Sequence, residues 1–140
     1  MTPLSQNFRY PYGNEKILDG DIPWRTAPVV AHLIGTQYYH PDLIHRTMLD
    51  VPDAAIVATS GTLTGRTSTL GVADADDVTW GTVPAGTTRG DAVLLATSTG
   101  SRATDVLIAF FGTVVGVPVY PDGSDITCYW DQGANKVFIL

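Results

Sequence analysis

Apolar residues along this chain come in short runs broken by turn-forming residues, with no long stripe at helical spacing. The runs at 28–34 (PVVAHLI), 54–59 (AAIVAT), 92–97 (AVLLAT) and 105–115 (DVLIAFFGTVV) are rich in β-branched residues. Such nearly continuous runs predict strands, and the first suits a strand buried on both faces. Gly35 ends the first run and Ser60-Gly61 ends the second. Residues 99–102 supply a turn between the last two, which predicts an antiparallel hairpin. Residues 125–130 (DITCYW) alternate. Ile126, Cys128 and Trp130 fall on one face, and Thr127 and Tyr129 on the other. Val78 and Trp80 share a face by the same rule.

The remaining segments fill in the picture. Residues 62–73 (TLTGRTSTLGVA) predict one or two strands interrupted by Gly65 and Gly71. A short strand at 117–120 leads into Pro121-Asp122-Gly123-Ser124, where Pro presets φ and Gly accepts positive φ. The closing KVFIL (136–140) predicts a buried terminal strand belonging to the sheet. One helix is expected at 41–50, with Pro41 and Asp42 in its first turn and Leu43, Ile44, Thr47 and Met48 as its apolar spacing. Pro52 stops it. Residues 1–16 read as an extended arm, because Pro3 and Pro11 alternate with Phe8, Tyr10 and Tyr12. This arm is either a disordered terminus or a segment that lies on a neighbouring subunit. About eight short strands at regular spacing predict an all-β protein. The expected architecture is an antiparallel two-sheet β-sandwich over 17–140, with one short helix.

Composition supports the strand reading. The chain has 13 Asp and one Glu, 18 Thr and 14 Val, and only two Lys among 140 residues. Val and Thr favour strands while Glu and Lys favour helices, so a helical bundle is excluded. The length fits one domain with a real core. No apolar run approaches the roughly 20 residues of a membrane-spanning helix, so no membrane association is expected. The opening residues lack the apolar core of an export signal.

Charge narrows the partners. The net charge is −6, and Arg9, Arg25, Arg46, Arg66, Arg89 and Arg102 stand singly, which argues against direct binding of nucleic acid. Charged residues make up 16%, against roughly 25% in an average soluble domain. So low a charge density suggests a surface partly covered by another subunit.

Candidate chemistry is sparse. His32, His40 and His45 have no Cys or carboxylate pattern beside them of the kind a metal site needs, and His32 reads as a hydrogen-bonded strand residue. Asp74, Asp76 and Asp77 lack the spacing of a calcium loop and read as a turn, as do Asp19/Asp21 and Asp122/Asp125. The segment from Gly61 to Thr67 has the wrong glycine spacing for a phosphate loop, and no helix is expected after it. Arg89-Gly90-Asp91 is a chance triplet. Cys128, the single cysteine, reads as a buried inert thiol. No catalytic residue, metal or cofactor is expected.

Three segments carry a family resemblance. They are LDGDI with PVVAHLIGTQYYHPD (18–42), GVADADDVTW (71–80) and GVPVYPDGSDITCYWDQGANKVFIL (116–140). In order and spacing they resemble a group of small structural proteins of tailed bacteriophages, over residues 17 to 140. The strand LIAFFG (107–112) is similar to the family's corresponding strand but lacks its acidic end. The matching positions are Asp77, Trp80, Asp125, Ile126, Trp130, Asp131, Gly133 and Phe138, and the resemblance implies that they determine the fold. It also implies a non-enzymatic virion component, assembled in the host cytoplasm. The first expectation is a capsid decoration protein, a homo-oligomer that binds the major capsid protein, with Phe8, Tyr10 and Tyr12 as its partner-binding arm. The alternatives are a neck or tail protein or, in a different class, a carbohydrate-binding module or small hydrolase on the same sandwich. That last class would need a concave pocket with exposed Trp or Tyr and convergent carboxylates.

Overall fold

The computed structural model describes residues 7–86, 88–130 and 136–139. The elements of the described residues are mostly strands, with one short α-helix. The central sheet has five strands in the order β1-β7-β6-β2-β3. These are β1 (Asn7–Arg9), β2 (Val29–Ile34), β3 (Ile56–Thr59), β6 (Ala92–Thr97) and β7 (Leu107–Phe111). Every pairing is antiparallel. Two small sheets accompany it: β4 (Val72–Ala73) with β9 (Phe138–Ile139), and β5 (Val78–Trp80) with β8 (Ile126–Cys128).

Every residue of β2, β6 and β7 is buried. The period of two explains how, because alternate side chains enter two separate cores. Val29, Ala31, Leu33, Val93 and Leu95 join Trp24, Trp80, Trp130 and Phe138 on one face. Ile34, Leu94, Leu107 and Phe110 join Tyr10, Tyr39, Met48 and Val51 on the other. The predicted hairpin of 92–97 with the following strand is present, and its register shifts once. Ala96 pairs with Leu107 and Leu95 with Ala109, which leaves Ile108 as the extra residue of a β-bulge. The Ile108 carbonyl instead accepts the backbone N–H of Tyr10 at 2.9 Å.

That contact seats the N-terminal segment and corrects the expected arm. Residues 7–9 form an edge strand on β7, and Pro11–Leu18 form α1. Pro11 stands at the first helical position, where its missing N–H is not needed and its fixed φ is already helical. Read as a helix breaker, it is in fact the start signal. Tyr10 is fully buried, and the boundary expected between residues 16 and 17 falls inside α1. Gly13 packs on β7 so closely that a Cβ there would collide with the Leu107 carbonyl oxygen.

The helix expected at 41–50 does not form; only a single 3-10 turn, Met48–Asp50, is present. Side-chain oxygens replace the helical ladder. The Asp42 carboxylate accepts the Ile44 amide at 3.0 Å, and Asp50 Oδ2 accepts the amides of Arg46 and Thr47. The backbone is tied to the neighbouring strand as well, through Met48 N–H to Asp105 and Leu107 N–H to Arg46. Of the expected apolar stripe only Met48 is buried, while Leu43 and Ile44 are exposed.

Other differences are smaller. Over 62–73 the strand content is β4 alone, preceded by a 3-10 turn. The expected strand at 117–120 reduces to one bridge, Val119 to Gly90. The terminal strand β9 pairs with β4 and not with the central sheet. Phe138 is buried as expected, but Ile139 is partly exposed.

Candidate functional site

Of the positions that resemble the phage proteins, Asp77, Trp80, Asp125, Ile126 and Trp130 lie in or beside the β5–β8 pair, and Phe138 lies in β9. Val78 faces Cys128, Thr79 faces Thr127 and Trp80 faces Ile126. Each motif side chain has a structural task. Trp80 is buried, and its indole N–H donates to the Ala31 carbonyl at 3.0 Å, pinning the small sheet to β2. Asp77 Oδ1 accepts the Trp130 backbone amide at 3.0 Å, and the Trp130 indole donates to the Asp76 carbonyl. Asp125 Oδ1 accepts the Thr82 amide at 2.7 Å, closing the turn after β5. Phe138 packs edge-on against Trp24, with ring centroids 5.2 Å apart. Asp131 and Gly133 lie outside the described residues.

The three aromatics assigned to a partner-binding arm are turned inward. Phe8 stacks on Phe110, and Tyr10 meets Phe8 edge-on. Tyr12 is half-buried beneath the cations of Lys16 and Arg46, at 5.1 and 5.0 Å from its ring.

The other candidates resolve into local structure. His32 is buried in β2 with Nδ1 2.9 Å from the Thr59 hydroxyl, and burial pushes its imidazole down to about 4. Cys128 is buried, and the same desolvation pushes its thiol up to about 12. Asp74 caps Ala75, and Asp76 accepts the Thr64 hydroxyl. Asp91 of the Arg-Gly-Asp triplet accepts both the amide and the hydroxyl of Thr36. Among the described residues no group of three His, Cys, Asp or Glu side chains is placed to hold a metal ion, and no helix is long and apolar enough to cross a membrane.

One concave surface stands out. A cleft of about 680 Å³ opens between β1 and β9, with Phe111, Trp130 and Phe138 among its lining. Val115, Tyr129 and Ile139 are exposed where they line it. The Arg9 guanidinium spans part of it, donating to the Ile139 carbonyl and lying over the Phe138 ring. No carboxylate is found among the described residues that line it. Near β4 the backbone of Leu70 adopts φ +53° with its side chain 96% exposed. A left-handed leucine in solvent is unfavourable twice over, in backbone and in hydration.

Sequence reasoning missed the cleft because its walls come from segments more than a hundred residues apart. It also missed a buried polar chain, Tyr10–Tyr39–His45, that joins α1 to the loop after β2. The strand-like spacing of aromatics at Phe8, Tyr10 and Tyr12 was the available signal for a packed segment.

No protein-family model matches this chain, and no curated protein matches it.

Proposed function

We propose that this chain is a non-enzymatic structural protein of a tailed-bacteriophage virion. Its first role in this reading is capsid decoration, binding and bracing the major capsid lattice as a homo-oligomer. The observation that carries the reading is the convergence of the resemblance segments. Residues 71–80 and 116–140 are remote in sequence, yet they pair as β5–β8 and β4–β9. Their signature side chains are engaged inside the fold, as a scaffold requires. The two small sheets, taken as one interrupted layer over the central sheet, make the two-sheet β-sandwich of this reading. What is left for function is surface, and it is sparsely charged. Exposed apolar residues such as Val115, Tyr129 and Leu70 suit burial against neighbours.

Purified particles of a phage encoding the chain test this directly. The protein should be present in stoichiometric amounts, and cryo-electron microscopy should find it on the capsid surface. Density at the neck or tail would move the role there, and absence from purified particles would remove the structural reading altogether.

A carbohydrate-binding module has one specific observation in its favour, the cleft with exposed Tyr129. It predicts measurable binding on a glycan array that a Tyr129→Ala variant loses.

A further inference from the structure

Three side chains form a continuous hydrogen-bonded chain from the core to the surface. The Tyr10 and Tyr39 hydroxyls are 2.7 Å apart, and the Tyr39 hydroxyl lies 3.0 Å from His45 Nδ1. Tyr10 and Tyr39 are buried, and His45 is half-exposed. Among the described residues, Tyr39 is the one hydrogen-bond partner of the Tyr10 hydroxyl.

Counting protons fixes the direction of the chain. With His45 neutral and its proton on Nε2, Nδ1 accepts from Tyr39, and Tyr39 accepts from Tyr10. Both hydroxyl protons are then satisfied. A proton added at Nδ1 turns that nitrogen into a donor. Three protons then share two contacts: if Tyr39 donates to Tyr10 the Tyr10 hydroxyl proton is left buried with no acceptor, and if Tyr39 accepts from both neighbours its own proton is. A stranded buried donor is the expensive case of hydrogen bonding.

Either stranded proton weakens the Tyr10–Tyr39 contact, and that contact sits where it matters. Tyr10 is the residue before α1, its N–H holds the β7 bulge at Ile108, and its carbonyl accepts the Asn14 amide at 3.0 Å. The charged and titratable groups around the chain are Asp42 and Asp50 from the loop, Arg46 beside His45, and Tyr12 and Lys16 from α1. Asp50 is itself held by the Arg46 and Thr47 amides. Arg46 and Lys16 are occupied on the Tyr12 ring. The face from β7 is the apolar ring of Phe110.

We propose that the Tyr10–Tyr39–His45 chain is an acid-sensitive latch: proton uptake at His45 strands a buried hydroxyl proton and loosens the β1–α1 segment from the central sheet. This device stands independently of the virion reading.

Amide hydrogen exchange on the full chain, corrected for the intrinsic pH dependence of exchange, tests it. The readout is the protection of the Tyr10 and Asn14 amides relative to the Leu94 and Leu95 amides of β6, which cancels any change in global stability. Between pH 8 and pH 5 this ratio should fall about tenfold in the wild-type chain. It should change less than about twofold in Tyr39→Phe, which cuts the link between His45 and Tyr10, and in His45→Gln, which does not titrate. Gln at the half-exposed end of the chain supplies the comparison should Tyr39→Phe fail to fold. A wild-type ratio that does not change with pH overturns the proposal without any variant. An equal fall in either variant overturns it too.

Discussion

The Asp77 carboxylate accepts the backbone amide of Trp130 at 3.0 Å, across 53 residues of sequence. This bond lies just beyond the β5–β8 ladder and fixes where the strand after Ile126 ends. Replacing Asp77 by Ala leaves a part-buried amide without its acceptor, so a loss of about 1–3 kcal/mol is expected. Urea denaturation would read it. Asp77→Asn, which keeps an acceptor oxygen, should lose less.

Gly13 permits the closest approach of α1 to the sheet. A Cβ there would meet backbone, which cannot swing aside as a side chain can. Gly13→Ala should therefore destabilise the chain by about 1–3 kcal/mol even though alanine is the better helix former. Gly20 is the control. It has φ +85° with open space around its Cβ position, so Gly20→Ala should cost about 1–2 kcal/mol from backbone conformation alone. Thermal unfolding by circular dichroism gives both values, and unchanged near-ultraviolet spectra in Gly13→Ala would contradict a displaced helix.

His32 makes stability depend on pH in a defined direction. Its imidazole is held at about 4 in the fold by burial, below its ordinary value of 6.5. Above pH 6.5 both states are neutral there and the contribution is complete. Between 6.5 and 4 the unfolded chain binds a proton that the native chain refuses, so stability falls. Below 4 the loss levels off, at about 3 kcal/mol. Denaturant midpoints at pH 7.5 and pH 4.5 should differ accordingly, and His32→Gln should flatten the difference.

Arg102 anchors the loop that was expected to be a helix. Its guanidinium donates to the carbonyls of Met48 and Val51 and pairs with Asp53. A lysine keeps the charge but not the planar fork. Arg102→Lys should speed hydrogen exchange over residues 46–55 about tenfold while leaving β6 protected. Uniform exchange across both regions would show that the anchor acts globally.

Leu70 should be better replaced than kept, as far as folding is concerned. Leu70→Gly removes the left-handed strain and an exposed apolar side chain. The thermal midpoint should rise, by an amount equivalent to about 1 kcal/mol. In the virion reading the same variant should bind particles more weakly, which a sedimentation assay would detect.

Three of the strands legible in sequence have side chains buried on both faces. β2, β6 and β7 announce themselves as apolar runs because no position in them meets water. β8 was legible through its alternation. Failures came where a local signal had two meanings. Pro11 stops an extended reading of helix yet opens α1, and only the burial of Tyr10 separates the two. Asp42 looks like a first-turn residue of a helix, but its carboxylate and that of Asp50 serve the backbone of an irregular loop. The cleft was beyond reach because its two walls meet only after β1 has found β7.

That last pairing carries a consequence for how the chain is made. Asn7 exchanges hydrogen bonds with Thr113, 106 residues away, and among the described residues β1 has no other strand beside it. β1 must therefore wait for β7. Until β7 is made, Phe8 lacks the Phe110 ring and the Tyr10 amide lacks the Ile108 carbonyl. The bulge at Ile108, which receives Tyr10, is completed only late in synthesis. Long-range closure of this kind slows folding to the range of about milliseconds to seconds, and Phe8 and the Tyr10 amide stay without their β7 partners for that interval.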